Sequence, residues 1–104
     1  MDFMEKVQNT LSQGLETSRD LFGKAREKAK DLGEKGVIHF EVLQLERQAA
    51  ELMGKLGTRV FDVLVVQKQN TVSTKTDGVK ELIQEIERVR TQIEQKEALL
   101  KKMG

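Results

Sequence analysis

The spacing of apolar residues restricts the fold of this chain more than any other feature. Two series of mostly apolar positions alternate intervals of four and three residues. The first comprises Ile38, Val42, Leu45, Ala49, Leu52, Leu56, Val63 and Val66, with the polar Arg59 between Leu56 and Val63. The second comprises Val79, Leu82, Ile86, Val89, Ile93, Lys96, Leu100 and Met103. This heptad spacing is typical of α-helices that pack lengthwise against other helices. We therefore expect an all-α, coiled-coil-like protein.

A polar stretch, QKQNTVSTKTDG, separates the two series at residues 67–78. It is rich in asparagine, serine, threonine, aspartate and glycine, which favour turns and helix caps. We expect a loop near residues 70–78, with Thr76 or Asp77 as the N-cap of the last helix. Two seams of similar length joined by a short loop predict an antiparallel helical hairpin over residues 37–104.

Residues 1–36 carry a different repeat, in which apolar or small side chains follow intervals of three, four and four. From its first regular position onward it contains Leu11, Gly14, Ser18, Phe22, Ala25, Ala29, Gly33 and Gly36. Such a period, about 3.67 residues per turn, fits a nearly straight helix. It predicts one long amphipathic helix over residues 2–32, roughly 46 Å long, which ends near Gly33 and Gly36. The expected architecture is this long helix followed by the hairpin, three helices in all.

The segment VFDVLVV, at residues 60–66, is apolar on nearly every side. A helix of this composition must be covered on more than one side, although its β-branched residues also permit a strand over residues 63–69. A chain of 104 residues buries only a modest core by itself. We therefore predict helix-mediated association, as a homo-oligomer or with a helical partner protein. The predicted interaction residues are Phe3, Val7, Leu11, Phe22, Ala25, Ala29, Val60, Phe61, Leu64 and Val65.

Two glycines interrupt the second predicted helix, at Gly54 and Gly57. Each costs roughly 1 kcal/mol of helix stability relative to alanine. Small residues let two helices approach closely. We therefore expect the small residues of the first helix to pack against this pair of glycines.

Residues that carry catalysis or bind metals are sparse. His39 is the single histidine and the chain has no cysteine, so a metal site would lack its usual nitrogen and sulfur ligands. The glycines form no phosphate-binding loop. We expect Asp62 to be exposed or paired with Arg59, one helical turn earlier, and Lys96 to extend its ammonium group to water. The sequence predicts no enzyme activity, cofactor, metal or small-molecule substrate.

The distribution of charge argues against a nucleic-acid partner. Eighteen basic and seventeen acidic residues give a net charge of +1, and the two signs are interleaved along the whole chain and not segregated. Without a continuous basic surface, a protein has little affinity for a phosphate backbone.

The N-terminus MDFMEKVQNT lacks the basic start and apolar block of a signal peptide. The longest apolar run, residues 63–66, is far shorter than the about 20 residues that span a bilayer. A cytoplasmic protein is the expectation. A lipid-binding alternative remains open, in which the helix over residues 2–32 lies on a membrane surface. Its anchors would be Phe3, Val7, Leu11, Leu15, Leu21 and Phe22.

Three segments of the chain together resemble a family of small bacterial proteins that often end in a zinc ribbon. MDFMEKVQNTLSQGLETSRDLFGKAREKAKDLGEKG is similar to the opening helix of that family, and VKELIQEIERVRTQIEQKEALL resembles its last helix. LQLERQAAELMGKLGTRVFD resembles its second helix, especially at Glu46, Leu52, Leu56, Gly57, Val60 and Phe61. The paired CxxC motifs of the ribbon are missing, so no zinc-dependent role is carried over. The resemblance implies a long helix followed by a hairpin, and no particular activity.

Overall fold

The computed structural model describes residues 2–13 and 19–104, and within those ranges every regular element is helical. The elements are α1 (Phe3–Gln13), α2 (Arg19–Asp31), α3 (Glu34–Phe61), a five-residue π-helical turn (Asp62–Val66) and α4 (Val79–Met103). The prediction of an all-α protein is confirmed.

The α3 and α4 helices form the predicted antiparallel hairpin. Their apolar seams meet in one buried cluster, which includes Val42, Ala49, Leu52, Ile86, Val89 and Ile93. At one end of the hairpin the Lys96 ammonium group forms an ion pair with Glu41. At the other end the Arg59 Nε donates a hydrogen bond to the Asp77 carbonyl oxygen, at 3.1 Å. Heptad spacing therefore predicted the pairing of these two helices, and the short loop between them predicted their antiparallel direction.

The hairpin loop runs from residue 67 to residue 78 and leads into α4 at Gly78. Gly78 has a φ of +82°, and a Cβ built there would lie 2.7 Å from Arg59 Nε. The backbone N–H of this glycine donates to the Glu81 carboxylate at 2.7 Å. The N-cap predicted at Thr76 or Asp77 was therefore wrong. Only glycine combines this backbone conformation with space for the arginine side chain.

The apolar segment after α3 stays helical, because Gln67 N–H donates to the Asp62 carbonyl oxygen at 2.8 Å. This bond spans five residues, which is the spacing of a π-helix. Of the residues in the π turn only Val63 is buried. Leu64, Val65 and Val66 are exposed. The segment is therefore covered on one side only, whereas its composition had predicted cover on more than one side.

The first two helices both pack on α3. Val7 of α1 joins the buried cluster, and the Arg90 guanidinium lies 5.5 Å from the centre of the Phe3 ring. The predicted single helix over residues 2–32 is helical over α1 and α2, and its continuity depends on residues 14–18, which lie outside the described residues. Gly33 lies between α2 and α3 with a φ of +82°. Gly36 does not end a helix but lies buried inside α3.

Candidate helix-docking surface

The α1 helix packs on α3, and Val7 of α1 lies in a buried cluster with small residues of α3. Ala49 and Ala50 have no exposed surface, and Val7, which is 1 % exposed, lies in the same buried cluster. Alanine at these positions lets another helix approach closely without a loss of helix propensity. The close packing that the sequence had assigned to glycines is therefore made by alanines.

Gly54 and Gly57 lie on the last third of α3 and face open space. A Cβ built on either glycine would meet no atom of the described residues within 4 Å. The prediction that these glycines seat the first helix was wrong for the part of that helix that the structure describes. The two glycines leave a flat strip of helix backbone.

Exposed apolar side chains continue this strip toward the end of the helix. Phe61 is 60 % exposed and Val65 is 53 % exposed. Residues spaced by three or four lie on the same side of a helix, and in the π turn the wider spacing keeps Val65 close to the line through Phe61. We call this surface the α3 C-terminal face, and its exposed members are Gly54, Gly57, Thr58, Phe61, Leu64 and Val65.

The α3 C-terminal face has no charged member, and charged residues lie along one of its edges. Glu51, Lys55 and Asp62 line a shallow groove there, together with Gly54, Thr58 and Arg59. The Asp62 carboxylate accepts hydrogen bonds from Arg59 Nη1 at 3.2 Å and from Gln67 Nε2 at 2.8 Å. The predicted pairing of Asp62 with Arg59 is confirmed.

The ten predicted interaction residues do not form a single site. Phe61, Leu64 and Val65 lie on the α3 C-terminal face, whereas Val60 beside them is half-buried. Val7 is part of the core, Phe3 packs against it, and Leu11 is exposed on α1. Phe22, Ala25 and Ala29 belong to α2, but their side chains lie outside the described residues.

Sequence reasoning did not find Thr58 as a member of this surface. Its hydroxyl group donates to the Gly54 carbonyl oxygen of its own helix at 3.1 Å, so the side chain presents mainly its methyl group. The helical spacing of Gly54, Thr58, Phe61 and Val65 could have identified it. Thr58 lies outside the heptad series and is polar, so the apolar pattern does not mark it as an interaction residue.

Among the carboxyl groups that the structure describes, two have shifted pKa values, and neither belongs to a reactive cluster. Burial raises the pKa of Glu46, while the nearby Lys6 partly offsets this and Glu97 adds to it. Hydrogen bonds from the backbone at Glu81 and Gly78 lower the pKa of Glu81. Both shifts follow from positions beside helix contacts and caps, as expected for structural carboxylates.

The described residues contain no group of three or more histidine, cysteine, aspartate or glutamate side chains that could hold a metal ion. His39 is exposed on α3. Lys96, which had been expected to extend its ammonium group to water, is one-third exposed and directs that group to Glu41. Within the described part of the chain, no helix has the length and apolar character needed to cross a bilayer.

No known protein family, curated protein or solved structure matches this chain significantly. The resemblance to zinc-ribbon proteins thus stays a prediction, and any function rests on the residues themselves.

Proposed function

We propose that this chain is a non-catalytic interaction protein that acts through helix–helix association, and that it associates with copies of itself through the α3 C-terminal face. The observation that carries this proposal is the exposure of Phe61 and Val65 next to two glycines with open space beside them. A helix laid on this strip would bury the phenylalanine ring and approach the α3 backbone closely.

Single apolar residues at a protein surface are common and need no partner. The α3 C-terminal face differs because Phe61, Leu64 and Val65 are exposed next to each other, and Val66 beside them is exposed as well. Contiguous apolar surface on a small protein is typical of sites where another protein binds. The helical geometry of the strip favours an α-helix as the bound element.

Sedimentation equilibrium of the full chain across a range of concentrations tests the proposal. The unchanged protein is expected to show a molar mass above that of the monomer. Phe61→Glu is expected to weaken association by about thirtyfold or more, since removal of a central aromatic residue from an interface costs about 2 kcal/mol or more. A monomer at all concentrations would rule the proposal out.

A matched control is available on the same helix. Leu43 is 54 % exposed and lies outside the α3 C-terminal face, so Leu43→Glu introduces the same charge at a similarly exposed apolar residue. It is expected to leave the association unchanged. Equal losses in the two variants would mean that added charge, and not this surface, controls association. Circular dichroism of both variants verifies that they remain helical.

The lipid-binding alternative uses the apolar residues of the first helices. Met4 and Leu11 are exposed on α1, but Val7 lies in the core, and it would have to leave the core before α1 could insert into a membrane. Flotation with vesicles of phosphatidylcholine and phosphatidylglycerol, using the full chain and Leu11→Glu, distinguishes the two functions. Flotation that Leu11→Glu abolishes and Phe61→Glu preserves would favour lipid. A cytoplasmic location is proposed along with self-association.

A further inference from the structure

We infer that α1 is an arm that opens and closes on the α3–α4 hairpin, with Lys6 as the latch that holds it closed. In the open state α1 leaves the groove that it covers, and the hairpin stays folded. This inference concerns a different part of the molecule from the α3 C-terminal face and goes beyond the proposed function. Three observations carry it: the small buried part of α1, the core that the hairpin forms by itself, and the charges around Lys6.

Little of α1 is buried against the rest of the chain. Among its described side chains only Val7 is buried, and Phe3, Lys6 and Thr10 are partly exposed. The Arg90 guanidinium lies over the Phe3 ring, 5.5 Å from its centre. A helix of 11 residues is marginal in water by itself, so these few contacts keep α1 helical. When they are lost, the whole of α1 is released.

The hairpin forms most of its core without α1. The buried residues of this core belong to the two heptad seams, which face each other across α3 and α4: Val42, Ala49, Leu52, Ile86, Val89 and Ile93. Release of α1 removes Val7 from the cluster and leaves the contacts between the seams in place. Parts of a protein with few buried contacts open at lower free energy than its core. We therefore expect α1 to open before the hairpin unfolds.

Ala50 marks the side of α3 that α1 covers. Residues 46 and 50 are about one helical turn apart and lie on the same side of α3, and Lys6 of α1 is close enough to Glu46 to oppose the rise of its pKa. Ala50 lies outside the α3 seam, yet it has no exposed surface. Its side chain is therefore covered by α1, whereas the equally buried Ala49 belongs to the seam that faces α4. These two neighbouring alanines distinguish release of α1 from unfolding of the hairpin.

The charges beneath α1 both favour and oppose closure. Lys6 forms an ion pair with Glu97 of α4, and the lysine side chain is 18 % exposed. Burial raises the pKa of the neighbouring Glu46, Glu97 adds to this rise, and Lys6 opposes it. The closed arm thus holds one ammonium group beside two carboxylates, one of which has lost part of its water. Lys6 therefore favours the closed state, and Glu46 favours the open state.

Thiol labelling of single cysteines tests whether α1 opens by itself, and the absence of cysteine from the chain makes each label unambiguous. Ala50→Cys reports release of α1, and Ala49→Cys is the matched control, because both alanines are fully buried and both substitutions add one sulfur atom. In dilute protein with excess thiol reagent, Ala50→Cys is expected to be labelled at least about tenfold faster than Ala49→Cys, since local opening costs less than global unfolding.

Low concentrations of urea sharpen this test. The dependence of an opening reaction on urea increases with the surface that it exposes. Labelling of Ala50→Cys is therefore expected to depend weakly on urea, and labelling of Ala49→Cys is expected to rise steeply. Equal rates with equal urea dependence would mean that α1 and the hairpin open together, and would overturn the inference.

Hydrogen exchange of the unchanged chain gives the same answer without any substitution. Amides in residues 7–13 are expected to exchange at least about tenfold faster than amides in residues 86–93, by an opening that depends weakly on urea. Amides of α1 that exchange as slowly as those of α4 would overturn the inference, even if both cysteine variants failed to fold.

Substitutions in the Ala50→Cys chain test the latch. Lys6→Gln is expected to raise the labelling rate by about threefold or more, because the ion pair with Glu97 is lost. Glu46→Gln is expected to lower it, because closure then buries no carboxylate at this position. Glu85, which is exposed on α4, provides the control: Glu85→Gln also removes one carboxylate and should leave the rate unchanged. Rates that stay the same, or that change in one direction in both Lys6→Gln and Glu46→Gln, would overturn the role of Lys6 as the latch.

Discussion

The middle and the C-terminal end of α3 have the same helical backbone and opposite surroundings. Around Ala49 and Ala50 the helix is covered by α1 as well as by α4, and these two alanines are fully buried. Around Gly57 and Phe61 the helix meets α4 on one side, and its other side is exposed. Small residues occur in both regions, but only the alanines are used for packing within the chain. The small size of a residue alone therefore does not reveal which helix, if any, packs against that residue.

The largest expected difference between the two regions concerns apolar side chains. Leu52 is buried in the core, and Leu52→Ala should lower the free energy of unfolding by about 2–5 kcal/mol, because a cavity remains. Phe61→Ala should change the free energy of the dilute monomer by no more than about 0.5 kcal/mol, as is usual for exposed positions. Urea denaturation at low protein concentration measures both. A large loss in Phe61→Ala would show that the ring packs within its own chain.

Enlarging a small residue should have opposite effects in the two regions. Ala50→Leu inserts three carbon atoms into a fully buried site and is expected to destabilise the chain by about 1–3 kcal/mol. Thermal unfolding followed by circular dichroism measures this loss. A variant as stable as the unchanged protein would indicate that α3 is loosely covered at this position.

Gly57→Ala is the counterpart in the exposed region. The added methyl group has open space, and alanine favours the helix, so the dilute monomer should gain about 0.5–1 kcal/mol in stability. The same methyl group would keep a second helix farther from the α3 backbone, and we expect weaker association. Urea denaturation and sedimentation equilibrium measure the two effects separately. Stronger association in this variant would be inconsistent with close contact at the α3 C-terminal face.

The smallest expected effect is the pH dependence contributed by Glu46, in the covered middle of α3. Because burial raises its pKa above 4.5 in the folded chain, the folded state binds this proton more tightly than the unfolded state. The stability that this group contributes is therefore complete below pH 4.5 and is lost as the pH rises through the folded pKa. Glu46→Gln should unfold at a slightly higher temperature than the unchanged protein at pH 7, and the difference should shrink at pH 3. A larger difference at pH 3 than at pH 7 would contradict a raised pKa of Glu46 in the folded chain.

The sequence predicted the parts of the fold that depend on periodic apolar positions. The α3–α4 hairpin followed from alternating intervals of three and four residues, and the Arg59–Asp62 pair from their spacing on one helix. The N-cap at Gly78 did not follow, because it depends on the position of Arg59 from another helix. Ala50 is buried by packing within the chain and Gly54 is not, and this difference likewise depends on where α1 lies along α3. No local sequence pattern specifies that position.

Only part of the α3 C-terminal face was predicted, because its exposure also depends on how the helices pack. The apolar excess of residues 60–66 was visible in the sequence, but the side from which it would be covered was not. The π turn directs Val63 inward and leaves its neighbours Leu64 and Val65 exposed. The spacing of a regular α-helix could not predict this arrangement.

Hydrogen exchange measured by mass spectrometry at several protein concentrations tests most directly whether the exposed end of α3 is the contact between copies. As concentration rises, amides in residues 54–66 are expected to become more protected, since opening must then compete with association. Amides in residues 38–52 are expected to remain unchanged. Protection that is independent of concentration throughout α3, or that grows only in residues 3–13, would contradict the account.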